Sequence, residues 1–246
     1  MAGGVTFTAF IRDVSEKLQL ERKLLQSERL AAVGQAVAHV VHELKNPLMI
    51  IGGFTGQIKK NPAGYRDLKK LDMILEEVAR LERLVAGLGD FTKTYTLLKR
   101  QADITSLLRD VIKIMTEIYP QDQYGFREFL PDETREIACD PDKLKQVFIN
   151  IISNGFEAME NGGSITVSIK NLPDGVEVRI TDEGIGIPEE SLANIFEPFY
   201  TTRKRGSGLG LSISYKIIQA HNGDISAISE PGRGTTFVIR LPDTGA

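Results

Sequence analysis

The sequence predicts a multidomain protein: an α-helical hairpin forming a dimeric four-helix bundle, followed by an α+β sandwich. Three observations carry this. Residues 66–92 hold a heptad, with Leu71, Val78 and Val85 in one seam and Ile74, Leu81 and Leu88 in the other, so each set shares a helical face. Residues 15–60 are also helical in pattern, and Asn61-Pro62-Ala63-Gly64 between the two is a loop signal, which makes an antiparallel hairpin. A hairpin cannot bury both seams alone, but two copies can, so a homodimer is expected. Beyond residue 101 short strands mix with helices, the order expected of a sheet covered by helices on one face.

In the first helical stretch Leu18, Leu25 and Ala32 recur every seven residues, while the companion seam is interrupted by Glu21 and Glu28. Ser15 is a plausible N-cap. Unbroken, this helix would be about 67 Å long, and Pro47 inside it removes a hydrogen bond and bends the axis. Before it, Val5, Phe7, Ala9 and Ile11 alternate with polar residues, which reads as one strand without a partner.

Residues 93–101 read as a hinge. A helix follows near 104–119, a strand near 125–130, a short strand at Ile137 and a helix near 141–160. Strands come next at 164–170 and 175–181, then a glycine-rich loop to 207, a helix at 208–221 and closing strands at 224–229 and 234–240. Asp174-Gly175 and Pro231-Gly232 mark hairpin turns.

Bulk composition narrows the function classes. The 246 residues are 41% hydrophobic and 26% charged, with a net charge of −3, which gives no electrostatic case for a nucleic-acid partner. Cys139 is the single cysteine, so neither an internal disulfide nor a cysteine metal site is possible, and a reducing, cytoplasmic compartment fits. No apolar run approaches the roughly 20 residues of a membrane span. No membrane contact is expected within this chain, and any anchor of the full-length protein would lie upstream.

Five motifs carry chemistry. In His42-Glu43-Leu44-Lys45-Asn46-Pro47 the imidazole and the Asn46 amide are four apart and share a helical face. Asn150 and Asn154 likewise share a face, and amide oxygens are hard ligands suited to Mg2+. Asp182-Glu183-Gly184-Ile185-Gly186 at a strand end lets backbone approach a planar base, while the carboxylate accepts from an exocyclic amine. Gly206-Ser207-Gly208-Leu209-Gly210 opens a helix, where free N–H groups favour phosphate oxygens. It is neither G-x-G-x-x-G nor a Walker A loop. Gly232-Arg233-Gly234-Thr235 is the last. Each alone has a bland counterpart: a half-exposed polar helix face, an Asp-Gly turn, a flexible hinge, a hairpin turn. Phe196 and Phe199 read as anchors of a lid, and Arg203, Lys204 and Arg205 as a basic cluster beside the glycines.

Taken in order, Asn150/Asn154, Asp182-x-Gly184-x-Gly186, Phe196-x-Pro198-Phe199 and Gly206-x-Gly208-x-Gly210 resemble the N, G1, F and G2 boxes of sensor histidine kinases. His42-Glu43-x-x-Asn46-Pro47 is similar to their H box. The resemblance spans roughly residues 25–242. It implies a terminal strand of a truncated, PAS-like sensor domain at 1–14, a coiled-coil linker at 15–30, a dimerisation and phosphoacceptor domain at 31–95, and a Bergerat-type ATP-binding domain at 96–246. It further implies ATP and Mg2+ as cofactors, a response-regulator receiver domain as partner, and autophosphorylation of His42 followed by transfer to an aspartate of that receiver.

By the same resemblance Glu43 orients the His42 ring and Asn46 serves dephosphorylation of the partner. Asn154 and Asn150 hold the metal, and Asp182, Gly184, Gly186, Lys204, Gly206, Gly208, Leu209, Gly210 and Thr235 line the nucleotide. Two positions depart from the family pattern: Gly155 and Glu157 stand where alanine and lysine are common, and Lys204 or one of its neighbours is the expected substitute for that lysine. Gyrase-like ATPases of the same fold carry a glutamate at the position of Asn150, so its absence favours a histidine acceptor over hydrolysis. A docking module that only binds ATP and a serine kinase of this fold remain as alternatives.

Overall fold

The structure, a computed structural model, describes residues 44–58, 65–92, 96–132, 135–203 and 208–243. The terminal strand, the coiled-coil linker, the 61–64 loop, His42, Glu43, Lys204 and Gly206 lie outside these. Residues 44–58 are helical (α1) and continue through Pro47. Helix α2 runs Tyr65–Thr92 without a break, matching the heptad. Leu71, Val78 and Val85 are exposed, so among the described residues the first seam has no cover.

The rest builds two layers. Strands β2 (Tyr124–Phe129), β4 (Gly163–Leu172), β5 (Gly175–Thr181), β7 (Thr235–Pro242) and β6 (Asp224–Ser229) form a sheet in the order β2-β4-β5-β7-β6. β2 pairs parallel to β4, and the other pairs are antiparallel. Alternation of apolar side chains points Ile165, Val167, Val178, Ile180, Phe237 and Ile239 to one face. On it lie α3 (Ile104–Ile118), α4 (Pro141–Glu157) and α6 (Gly210–Ala220). Helix α3 presents Leu107, Leu108, Val111, Ile112 and Met115 to the core, the spacing of an amphipathic helix. Phe156 of α4 meets Tyr119, Tyr124 and Phe126 at centroid distances of 4.5, 5.0 and 5.3 Å. Leu44, half buried, packs against this same core, and α2 lies against α6.

Several boundaries differ from expectation. The hinge ends earlier, because β1 (Arg100–Asp103) pairs antiparallel with β3 (Glu136–Cys139). That pairing joins segments far apart in the chain, and no local pattern announces it. Helix α4 stops at Glu157, where the chain heads for Gly162 at φ 84°. A single turn, α5 (Glu189–Leu192), interrupts the glycine-rich loop. Helix α6 starts at Gly210 and not at 208, because Gly208 is left-handed at φ 65°.

Caps fix the helix starts. Asp103 accepts from Thr105 N and Ser106 N at 3.1 and 3.0 Å, and Asp140 accepts from Lys143 N at 3.2 Å, each satisfying otherwise orphan donors. Asp140 also accepts from Leu98 N at 2.9 Å. Its own N–H donates to Nε2 of His221 at 2.9 Å. Nε2 is therefore unprotonated, and Nδ1 donates to Ile217 O at 2.8 Å. A histidine at a helix C-terminus is favoured as a cation by the helix dipole; His221 is instead buried and neutral, with burial lowering its pKa.

A depressed folded-state pKa means the unfolded chain binds more protons below the ordinary histidine value of about 6.5. Stability therefore rises with pH through that window and falls on acidification. The thermal midpoint is expected to drop between about pH 7 and about pH 5.5, and His221→Gln to flatten the drop. An identical slope in both proteins would contradict the neutral imidazole.

Candidate functional site

The site gathers where β5 ends, β7 begins and α4 and α6 present their edges. Asp182 follows β5 and is 5% exposed, so its carboxylate needs partners. Oδ1 accepts from Gly184 N at 2.9 Å and from Thr235 N at 3.2 Å, while its own N–H donates to Thr235 O at 2.9 Å. Burial still dominates and raises its pKa, against the opposing pull of the two N–H groups and Arg203. Both side-chain bonds fall on Oδ1, while Oδ2 lies on the side of Gly155 of α4.

Glycines permit the close approach. At Gly234, φ is 86° and a Cβ would collide with the Asp182 carbonyl. Gly186, at φ 71°, would collide with the Glu230 carbonyl. Ser229 locks the two loops together: its Oγ receives Ile187 N at 2.8 Å and donates to Gly234 O at 2.8 Å. The Gly232–Thr235 motif is thus the seat of Asp182, more than a turn.

Helix α4 supplies the polar wall. Asn150 and Asn154 share its face but have different partners. Asn150 Nδ2 donates to Ser214 Oγ of α6 at 3.0 Å, and a Cβ on Gly210 would strike its Oδ1. Asn150 therefore joins the two helices. Asn154 is held by Arg203: Nη1 donates to Oδ1 at 3.1 Å and Nη2 to the Asn154 carbonyl at 2.6 Å. Arg203 Nη1 also pairs with Glu157. Lys204 lies outside the described residues; of the basic cluster, the described member at this wall is Arg203. Its signal was present in the cluster, and Glu157 was visible as a departure, but nothing local links residues 46 positions apart.

The opposite wall is the glycine turn into α6. Gly208 O accepts from Phe199 N at 2.9 Å, and a Cβ on Gly208 would meet the Phe199 backbone. Phe196 packs on Tyr215 and Phe237 at 5.6 and 6.4 Å, and Phe199 is buried. Leu209 precedes α6 and its own side chain makes no cap bond; N–H groups at a helix N-terminus favour phosphate oxygens. Asn46 is exposed on α1, and Pro47 beside it is buried.

No group of three His, Cys, Asp or Glu able to hold a metal occurs among the described residues. A cation here would rest on Asn154 Oδ1 and on ligand oxygens, the sparse donor set that Mg2+ accepts when phosphates complete it. Among the described residues no helix is long and apolar enough to cross a membrane.

Comparison with known proteins agrees with this geometry. Residues 32–94 match the family model described as the His Kinase A (phospho-acceptor) domain. Residues 139–245 match the one described as the histidine kinase-, DNA gyrase B- and HSP90-like ATPase. Sporulation kinase E of Bacillus subtilis (strain 168) is 39% identical over 235 residues, covering 95% of this chain and 32% of that protein. Sensor histidine kinase ZraS of Escherichia coli (strain K12) is 31% identical over 243 residues, covering 98% and 52%. The chain thus spans a third to a half of these relatives. The solved structure of histidine kinase ThkA in complex with response regulator protein TrrA superimposes with a TM-score of 0.78 at 32% identity, covering 95% of this chain and 68% of that one.

Proposed function

This chain belongs to the sensor histidine kinase family, and on that premise we propose that it transfers the γ-phosphoryl group of ATP to His42. It then passes the group to an aspartate of a response-regulator receiver domain. The observation that supports this most is the buried Asp182, whose Oδ1 is saturated by backbone N–H groups and whose Oδ2 is left over. That arrangement suits one ligand donor, the exocyclic amine of adenine. Asn154 at the other end of the pocket suits a phosphate-bound Mg2+, which would neutralise the charge on the transferring group.

The chain's own residues do the rest. Asp182, Gly184 and Gly186 receive the base, and Thr235 holds Asp182 in place. Gly206, Gly208, Leu209 and Gly210 carry backbone N–H groups toward the phosphates. Asn150, fastened to Ser214, keeps α6 against α4. His42 attacks through one ring nitrogen, so the other must bear the proton, and Glu43 accepts that proton's hydrogen bond. Leu44, two residues along from His42, touches the core of the ATP-binding unit, which supports a route for the acceptor to the nucleotide. The exposed seam of Leu71, Val78 and Val85 supports a homodimer through the helical hairpin. The domain limits proposed are 1–14, 15–30, 31–95 and 96–246, in a cytoplasmic protein.

Incubation with ATP and Mg2+ is expected to label His42, giving an acid-labile phosphoprotein. His42→Gln should lose more than ~99% of the label while nucleotide binding persists, because the nucleophile is gone and the ATP pocket is intact. Label surviving at the wild-type level, or stable in acid, would overturn the assignment and favour a serine acceptor. Binding without any labelling would favour the docking module.

Asn46 is four residues beyond His42 in sequence and exposed. An amide can orient a water by donating and accepting, yet is a poor base, so it suits attack on a phosphorylated partner aspartate better than activation of His42. Asn46→Ala is expected to keep most autophosphorylation and lose dephosphorylation of the receiver about tenfold or more. Equal loss of both, or loss of helicity by circular dichroism, would show that Asn46 serves only the bend at Pro47.

A further inference from the structure

The Asn154 wall carries an inference beyond the transfer reaction. One guanidinium is held by three acceptors: Asn154 Oδ1 at 3.1 Å, the Asn154 carbonyl at 2.6 Å, and the Glu157 carboxylate. Two of these acceptors belong to the residue proposed to ligate Mg2+, and the third stands one residue short of the next helical turn of α4, on the same face. The fit is that of a cation in a cation site. We propose that Arg203, anchored by Glu157, is an internal competitor for the Mg2+ position at Asn154. Glu157 thereby sets how much Mg2+ the nucleotide site requires. This rests on the reading of Asn154 as the metal ligand.

The physical conflict is direct. Mg2+ sits about 2.1 Å from its oxygen ligands. A guanidinium nitrogen 3.1 Å from that same oxygen would leave two positive charges only a few ångströms apart. Metal entry therefore expels Arg203 from Asn154 Oδ1. What resists expulsion is chiefly Glu157, the only charged acceptor of the three. The departure of Glu157 from the lysine common in the family thus acquires a role: a lysine there would repel Arg203 where a glutamate retains it.

Both charges are partly exposed, at 36% and 56%, and such pairs are worth little. The effect expected is correspondingly modest, about two- to fivefold.

The test is calorimetric titration of the whole chain with ADP, at fixed Mg2+ and in excess EDTA, for wild type, Glu157→Gln, Arg203→Ala and the double variant. Glu157→Gln should tighten ADP binding in Mg2+ by that factor and lower the half-saturating Mg2+ concentration. It should change nothing in EDTA, and nothing in the Arg203→Ala background. Weaker Mg2+ binding in Glu157→Gln would make Glu157 a metal ligand and overturn the proposal. The same gain in EDTA or without Arg203 would reduce it to repulsion between Glu157 and phosphate, and no change at all would also overturn it. Failure of the wild-type chain to bind ADP at all would instead remove the nucleotide reading, and this inference with it.

Discussion

The ATP-binding half of this chain depends on how one buried carboxylate is satisfied. Asp182 sits where the sheet ends, and burial alone would favour its neutral form. Two backbone N–H groups, from Gly184 and Thr235, converge on Oδ1. For them to converge, β7 must begin directly beside the end of β5, and Gly234 must lie against the Asp182 carbonyl without a side chain. The glycine spacing follows from that crowding. So does the Ser229 hydroxyl, which pins the loop after Gly186 to the turn before β7. The pocket is shaped by satisfying Asp182 from one side only.

Helix α4 is the second determinant. Its core face, with Val147, Phe148, Ile151, Ile152 and Phe156, settles its rotation. That rotation turns Asn150 toward α6 and Asn154 toward the segment after Phe199. Two amides that look equivalent in the sequence acquire different work: Asn150 joins helices, and Asn154 faces charge. Asp140 and His221 tie the start of α4 to the end of α6 through a neutral imidazole. With the Asn150–Ser214 bond, α4 and α6 are thus linked at two points.

Much of this was legible in the sequence, because the signals are local. Heptads mark α2, and the turn signals Asp174-Gly175 and Pro231-Gly232 mark the strand pairs β4–β5 and β6–β7. The ordered boxes mark the pocket. The rest is non-local. The β1–β3 pair joins Arg100 to Cys139 with no periodicity to announce it. The start of α6 shifted because Gly208 must pass the Phe199 backbone. His221 reads as a cation at a helix end until Asp140 is brought to its Nε2. That Arg203 bonds Asn154 could not be read locally, since three adjacent cations are indistinguishable by type.

The central claim is that Asp182 Oδ2 reads the exocyclic amine of adenine, and base discrimination tests it most directly. Titration of the chain with ADP and with inosine diphosphate compares ligands that differ at that group, an amine donor against a carbonyl acceptor. Facing a carboxylate oxygen, the donor is accepted and the acceptor repelled. The account predicts that ADP binds tighter by about tenfold or more. Equal affinity for the two nucleotides would contradict it.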